Sequence, residues 1–383
     1  MTYYFKQPRY FNEFKCIGGA CPETCCAKWS IIWTNAEIDK VLAVCSPELK
    51  AKMKTSFEDI NGNNKKVKLN NRECPFLTED RLCSIQKELG EEYLSYTCGS
   101  YPRLVTQFDN VFVRSCDSSC IKVLQLVCEK ENSIDMVLQQ VKQDNVKAKQ
   151  VNKDNLHLYP TLEYYGQIFN FFYDILYNRK RSIEDSIILG ALAAKKISDF
   201  EEDNKHNMLG EVIEKLKQQI NSDSQVRTVE QIKSNPTFSF GVINEIVKKL
   251  WKNDIFQVIY TDGAPDIDKI NIGREKFNKH FSDKPYILKN IIINNYIQHF
   301  TFKYNGKMSV YENYMFFAVT ACIIRFAAYV AGYASNELDV DLYHYLSLVH
   351  RELYNNSEHR SIALDYLKEH NWTSPAYIAS MIK

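Results

Sequence analysis

Histidine is scarce and unevenly placed in this chain of 383 residues: all eight lie at or beyond His157. A metal site assembled from the residues before it must be built of thiolates, helped at most by a carboxylate or water. The Cys-x-x-Cys pair is also missing, which argues against a zinc ribbon and against a thioredoxin-type redox motif. The C-x-x-x-C-x-x-C loop of the usual radical S-adenosylmethionine enzymes is absent too, because Cys21 and Cys25 supply the first gap but Cys26 follows at once. No G-x-G-x-x-G run joins a strand to a helix and no Walker loop occurs, so a Rossmann-type cofactor domain has no support. No fixed-period repeat suggests a solenoid. Charge of one sign is not in excess, the formal net charge being +1, so no general attraction to nucleic acid or anionic membrane is expected. The N-terminal residues MTYYFKQPRYFNEFKC are broken by Tyr, Lys, Gln and Pro and lack the apolar core of a secretion signal. The longest apolar run, Met315–Ala334, carries Arg325 in its middle. A central Arg costs about 2.5–3.5 kcal/mol on membrane-insertion scales, so the run predicts a buried helix, no membrane partner and a cytoplasmic location.

What the sequence does contain is cysteine, concentrated at one end. Eleven of twelve fall at or before Cys128, and the rest of the chain holds only Cys322. In a reducing compartment such clustering points to metal binding rather than disulfides. Cys16, Cys21, Cys25 and Cys26 lie in CIGGACPETCC, Cys74 and Cys83 flank PFLTEDRL, Cys98 precedes GSYPR, and Cys116 and Cys120 bracket DSS. Four thiolates suit tetrahedral zinc or an iron–sulfur cluster, and both stay open. Adjacent Cys25 and Cys26 cannot both face one ion in a regular helix or strand. Either the chain turns sharply there or the two thiols face different centres. Nine cysteines lie in these segments, and two four-thiolate centres would use eight; one centre plus buried free thiols is the alternative. Cys45, Cys128 and Cys322, each alone in an apolar helical pattern, read as small buried hydrophobes.

Hydrophobic residues at 45% and charged residues at 25% match ordinary globular usage. At roughly 150 residues per domain, the length suits two domains. Thr34 and Glu37 form a capping-box pattern for a helix over about 35–58, followed by a turn at NGNN, 61–64. RLVTQ and VFVRS around Phe108-Asp109-Asn110 read as a hairpin, and helices are expected at 118–130 and 133–150. The lysine-rich stretch before 158 is taken as a linker, giving a cysteine-rich domain over 1–150 and a helical domain over 151–383. In the second, apolar spacing predicts helices over 161–178, 183–200, 240–252, 285–300, 308–334 and 338–352, with Ser182 and Asp185 as a capping signature. The fold class is mainly α: an irregular, metal-binding, cysteine-rich N-terminal domain with a small hairpin, then an all-helical domain.

The segments CIGGACPETCCAKW, CPFLTEDRLCSIQKELGEEYLSYTCGSYPR and SCDSSC resemble the flagellin lysine-N-methylase family, and more broadly zinc- or iron-chelating cysteine-cluster domains. The resemblance covers residues 10–125; the remainder agrees in length and helical character. One departure is Ile121, where the family usually has proline after the last cysteine. The resemblance implies transfer of methyl groups from S-adenosylmethionine to lysine ε-amino groups of flagellin. It implies Cys16, Cys21, Cys25, Cys26, Cys74, Cys83, Cys98, Cys116 and Cys120 as ligands of zinc or an iron–sulfur cluster, and supplies no catalytic base. A lysine ammonium, with a pKa of about 10.4, must lose a proton before it can attack; the neutral amine can then take a methyl group from a sulfonium without radical chemistry. Arg103 is a candidate to bind the donor's carboxylate bidentately, the alternative being a structural salt bridge. Two rival functions stay open: a zinc-stabilised protein-interaction module without catalysis, and an iron–sulfur redox protein.

Overall fold

A computed structural model describes residues 2–27, 29–108, 111–142, 149–150, 163–203, 205–220, 222, 229, 231–232, 235–250, 256–300, 308–355 and 358–383. The chain is mainly helical, as expected. Its first 150 residues also hold two sheets, of which the sequence reading anticipated one hairpin.

The larger sheet contains β1 (Thr2–Pro8), β5 (Arg103–Phe108), β6 (Val111–Cys116), β7 (Met136–Lys142) and β8 (Lys149–Gln150), in the order β7-β1-β6-β5-β8. The predicted hairpin is the antiparallel pair β5–β6, registered from Arg103 opposite Cys116 to Phe108 opposite Val111; its turn residues, Asp109 and Asn110, lie outside the described residues. The helix expected over 133–150 is corrected to strand at Met136–Lys142 and Lys149–Gln150, with 143–148 outside the described residues. β7 runs antiparallel to β1, from Met136 opposite Pro8 to Lys142 opposite Thr2, and pairing with an otherwise open strand overrides a weak helical pattern.

The smaller sheet, β2 (Ile32–Thr34), β3 (Phe57–Asp59) and β4 (Asn64–Val67), has the order β2-β4-β3. The predicted NGNN turn joins β3 to β4, with Gly62 at φ +73°. The single helix expected over 35–58 is two helices, α1 (Asn35–Leu42) and α2 (Pro47–Thr55). Both arms of the Thr34–Glu37 capping box form. Ser46 then caps α2 with Pro47 in its first turn, where a ring without N–H costs nothing but cannot continue a preceding helix. These elements enclose a small core of Ile31, Trp33, Ile38, Met53, Phe76 and Ile85 among others.

Three further helices complete this part: α3 (Ser84–Leu89), α4 (Tyr96–Ser100) and α5 (Ile121–Glu129). Ile121 takes the first position of α5 after the cap Cys120. Proline is also at home there, so the departure from the family pattern leaves the turn intact.

Beyond residue 162 come α6 (Tyr165–Tyr177), α7 (Ile183–Glu202), α8 (Leu209–Gln219), α9 (Pro236–Leu250), α10 (Ile267–His280), α11 (Ile287–Gln298), α12 (Val310–Ala334), α13 (Leu338–Asn355), α14 (His359–Glu369) and α15 (Pro375–Ile382). Ser182 caps α7 through the Asp185 amide, as expected. The part is not wholly helical: Tyr260–Thr261 pairs with Ala264–Pro265 in a two-stranded ladder. The long helix α12 is apolar enough to cross a membrane by length and composition, and its apolar window is entirely buried within the protein. It packs against α7, α10, α13 and α15. The crossing with α10 is tight because Gly273 faces Gly332: a Cβ on Gly332 would sit 2.2 Å from the Gly273 carbonyl oxygen. The large core joins α5 and residues Tyr10, Phe11 and Phe14 to these helices.

Candidate functional site

The cysteine segments meet where the small core abuts the helices. Cys74 is buried in the small core, and Cys26, Cys83 and Cys98 pack against it. The backbone explains why. The Cys74 amide donates to the Cys26 carbonyl at 2.7 Å, and the Ser84 amide to the Phe76 carbonyl at 2.8 Å; Leu77 bridges to Cys83. The loop from Cys74 to Cys83 therefore folds back on itself with both cysteines at its base. Cys98 lies in α4, its amide bonded to the Ser95 hydroxyl at 3.2 Å.

The first cysteine loop rests on this hairpin. Gly18 has φ +56°, and a Cβ on Gly19 would lie 2.7 Å from the Asp80 carbonyl, so only glycine permits the approach. Cys16 accepts the Gly18 amide at 3.4 Å. Cys21 donates to the Glu23 carbonyl at 2.9 Å. Glu23 anchors the loop on α13 through His344 Nδ1 at 3.1 Å and Arg351 Nη1 at 3.4 Å.

The last loop, Ser115 to Cys120, is held by α11. Asn294 donates to the Ser118 hydroxyl at 2.8 Å and to the Cys116 carbonyl at 3.4 Å, while Gln298 accepts the Ser118 amide at 3.2 Å. Asn290 donates to the Val127 and Lys130 carbonyls at the other end of α5. Asn290, Asn294 and Gln298 recur every four residues, are all buried, and share one helix face. Sequence reasoning missed them, although polar residues at that spacing inside an apolar helix were the available signal.

Electrostatics sorts the thiols into neighbourhoods. Burial pushes Cys74 and Cys98 up to about 12, and Cys26 and Cys83 push both further. Burial likewise raises Cys120 to about 12, with Cys21 and Cys16 adding to it, and raises Cys116, where Cys120 adds to it against Arg103. The Cys25 thiol donates to Cys26. That bond drives Cys25 up and holds Cys26 down to about 7 against its burial. The backbone bends at this adjacent pair. Backbone amides point at several sulfurs: those of Phe76 at Cys74, Gln86 and Ile85 at Cys83, and Val123 and Lys122 at Cys120. Among the described residues no group of three or more His, Cys, Asp or Glu closes to metal-binding distance. The donor chemistry suits a soft metal; the thiols gather without closing on one.

Cys45 is partly buried against the small core, and Cys128 and Cys322 are buried in the large one, the places expected of small hydrophobes. Arg103 makes no ion pair among the described residues. It lies opposite Cys116 in the hairpin, donates to the Phe14 carbonyl at 3.4 Å and stacks over the Phe14 ring at 4.9 Å. Beside Cys98 runs a groove of about 530 Å³ lined by Glu37, Lys40, Glu92, Tyr93, Tyr96 and Ser100 among others. Within it the Lys40 ammonium sits 4.6 Å from the Tyr93 ring centre and donates to the Glu92 carbonyl at 2.5 Å.

Comparison with known proteins places the chain. The flagellar biosynthetic protein FliU of Salmonella muenchen is 33% identical over 122 residues, covering 30% of this chain and 72% of FliU. The lysine-N-methylases of Salmonella typhimurium and Salmonella choleraesuis show the same identity over 122 residues, covering 30% of this chain and 30% of each relative. The chain thus spans less than a third of those two methylases. No solved structure matches it. A family model, the FliB lysine N-methylase C-terminal domain, matches residues 169–381, in the helical part rather than in the cysteine segments that suggested the family. On that match, which covers more than half of its length, the chain belongs to the FliB lysine N-methylase C-terminal domain family.

Proposed function

We propose that this protein transfers methyl groups from S-adenosylmethionine to the ε-amino groups of flagellin lysines. The observation that carries the reading is the family match over residues 169–381, supported by relatives named lysine-N-methylase. In the transfer, a neutral lysine nitrogen attacks the sulfonium methyl carbon. The new N–C bond forms as the C–S bond breaks, the donor leaves as a neutral thioether, and the extra proton on nitrogen passes to solvent. Because free lysine has a pKa of about 10.4, a site that favours the neutral amine speeds attack. The groove beside Cys98 is our candidate for the approach of the substrate lysine. Its aromatic and acidic lining already accommodates one lysine ammonium, that of Lys40, by a cation–π contact.

The proposal includes a thiolate-bound metal, zinc or an iron–sulfur cluster. Cys26, Cys74, Cys83 and Cys98 are the first set of candidate ligands, Cys16, Cys21, Cys116 and Cys120 the second, and Cys25 lies between them. When bound, the metal ties together loops that are distant in sequence. A second reading, in which the metal is purely structural and the helical part only binds a partner, is favoured by the packing of the first set against the small core. We place the protein in the cytoplasm, a reading supported by the burial of α12. Mass spectrometry of flagellin from cells with and without this protein tests the assignment. Lysine masses raised by 14 Da or its multiples only when the protein is present are expected, and unmodified lysines in both would overturn it.

A further inference from the structure

A second site lies in the helical part, apart from the thiols. A pocket of about 380 Å³ opens between the N-terminal ends of α7 and α9, α10, α12 and the last residue of the chain. Its volume falls within the roughly 300–1,000 Å³ of small-molecule sites. Its walls combine Phe240 and Tyr329 with Glu184, Asp185, Arg274, Arg325 and Lys383.

Arg325 is the residue that needs explaining. It is 5% exposed on an otherwise apolar helix, and burying a guanidinium is costly unless every donor is met. Its terminal nitrogens reach the Ile382 and Met381 carbonyls and, at 3.5 Å, Glu184 Oε1. Its Nε has no partner. Arg274, half-buried on α10, makes no hydrogen bond or ion pair among the described residues. Both arginines lie close enough to act electrostatically on Tyr329. Lys383 is paired with Asp185 at 2.6 Å, and among the described residues Glu184 is held by the long contact to Arg325 alone. The lining thus holds three cationic and two anionic side chains. They offer a guanidinium fork for a carboxylate and a loosely held carboxylate for an ammonium, between two aromatic walls.

We propose that this pocket binds the α-amino acid end of a small ligand, with its carboxylate on Arg274 and its ammonium on Glu184. An apolar side chain or thioether arm lies against Phe240 and Tyr329. Guanidinium groups take carboxylates bidentately in this way. The same chemistry could come from a free apolar amino acid or from the methionyl end of the methyl donor, so the test separates them. The site does not depend on the methyl-transfer reading.

The experiment is calorimetric titration of the full chain with L-methionine, with S-adenosylhomocysteine and with inorganic phosphate, repeated on R274A and R274K. Arg274 is only half-buried and pairs with nothing among the described residues, so both variants should fold, which an unchanged melting curve would verify. Binding of L-methionine or S-adenosylhomocysteine is expected, weakened about tenfold or more in R274A and only partly restored in R274K. Methionine binding identifies a free amino acid as ligand. Binding of S-adenosylhomocysteine alone identifies the donor's end, and would hold even if flagellin proved unmodified. Binding of neither, binding unaffected by R274A, or binding of phosphate alone would overturn the proposal.

Discussion

The carboxylate of Glu23 meets the guanidinium of Arg351 at 3.4 Å, although 328 positions separate them in sequence. With His344 on its other oxygen, Glu23 is the point at which the first cysteine loop is fastened to α13. Arg351 also pulls the Cys21 thiol down against the burial that raises it. E23Q leaves Arg351, whose side chain is 7% exposed, without its counter-charge. Removing one partner of a buried pair costs about 3 kcal/mol. Urea unfolding should show a loss of that order, and limited proteolysis should cut E23Q faster between Cys16 and Cys26. Equal cleavage of variant and parent would show that the contact does not hold the loop.

Glycines in this chain predict opposite responses to alanine. At Gly332 the new methyl would collide with the Gly273 carbonyl, forcing α10 from α12 at a cost of about 1–3 kcal/mol. At Gly166 and Gly241, both helical, a Cβ meets nothing within 4 Å, and alanine should stabilise by about 0.5–1 kcal/mol. Thermal melts of the three variants check the signs. A Gly332→Ala protein as stable as its parent would mean the helices are not in close contact.

Metal content separates the thiols by role. Zinc or iron is expected in protein purified under reducing, anaerobic conditions, with absorption and spin-resonance spectra distinguishing the two. Cys26→Ser and Cys83→Ser should lower metal content and stability together, because metal binding to a site absent from the unfolded chain is folding free energy. Cys322→Ser should retain its metal, since Cys322 is buried in the large core and is perturbed by burial, Arg325 and Glu184 and by no other thiol. Metal-free protein with an unaltered melting curve would remove the metal from the functional reading.

Cys322 also carries a pH signature. Burial raises its thiol from the ordinary 9.0 to about 12. Between those values the folded state keeps a proton that the unfolded chain releases, so the contribution is complete below pH 9 and is lost as pH rises towards 12. The stability difference between the parent and Cys322→Ala should therefore narrow above pH 9, by at most about 1.4 kcal/mol per pH unit. A difference independent of pH between 9 and 11 would show that the thiol is not desolvated.

The sequence disclosed most where a local rule acts alone. Thr34 with Glu37, and Ser182 with Asp185, start helices by side-chain caps that need no tertiary partner, and both form. The central apolar helix with Arg325 inside it was legible from hydropathy. The strands were not. β1 and β7 exist because each completes the other's hydrogen bonds, and neither shows an alternation strong enough to be read alone. At the cysteine site, residue type was informative and grouping was not. Cys98 and Cys120 look alike in sequence, yet one packs against the small core and the other against the large one. The polar face of Asn290, Asn294 and Gln298 was missed because each residue answers a backbone group at least 163 positions away.

The place of β1 in its sheet sets an order of events during synthesis. Its neighbours are β6 and β7, so Thr2–Pro8 has no partner strand until residue 111 and beyond have been synthesised. The small core, drawn entirely from residues between Ile31 and Ile85, can close while β1 still waits, because its contacts are local and short loops close at lower entropic cost. Hydrogen-exchange labelling of ribosome-stalled chains in which residues up to about 105 have cleared the exit tunnel should find Trp33 protected and Phe5 open. Protection at Phe5 in such chains would refute this order.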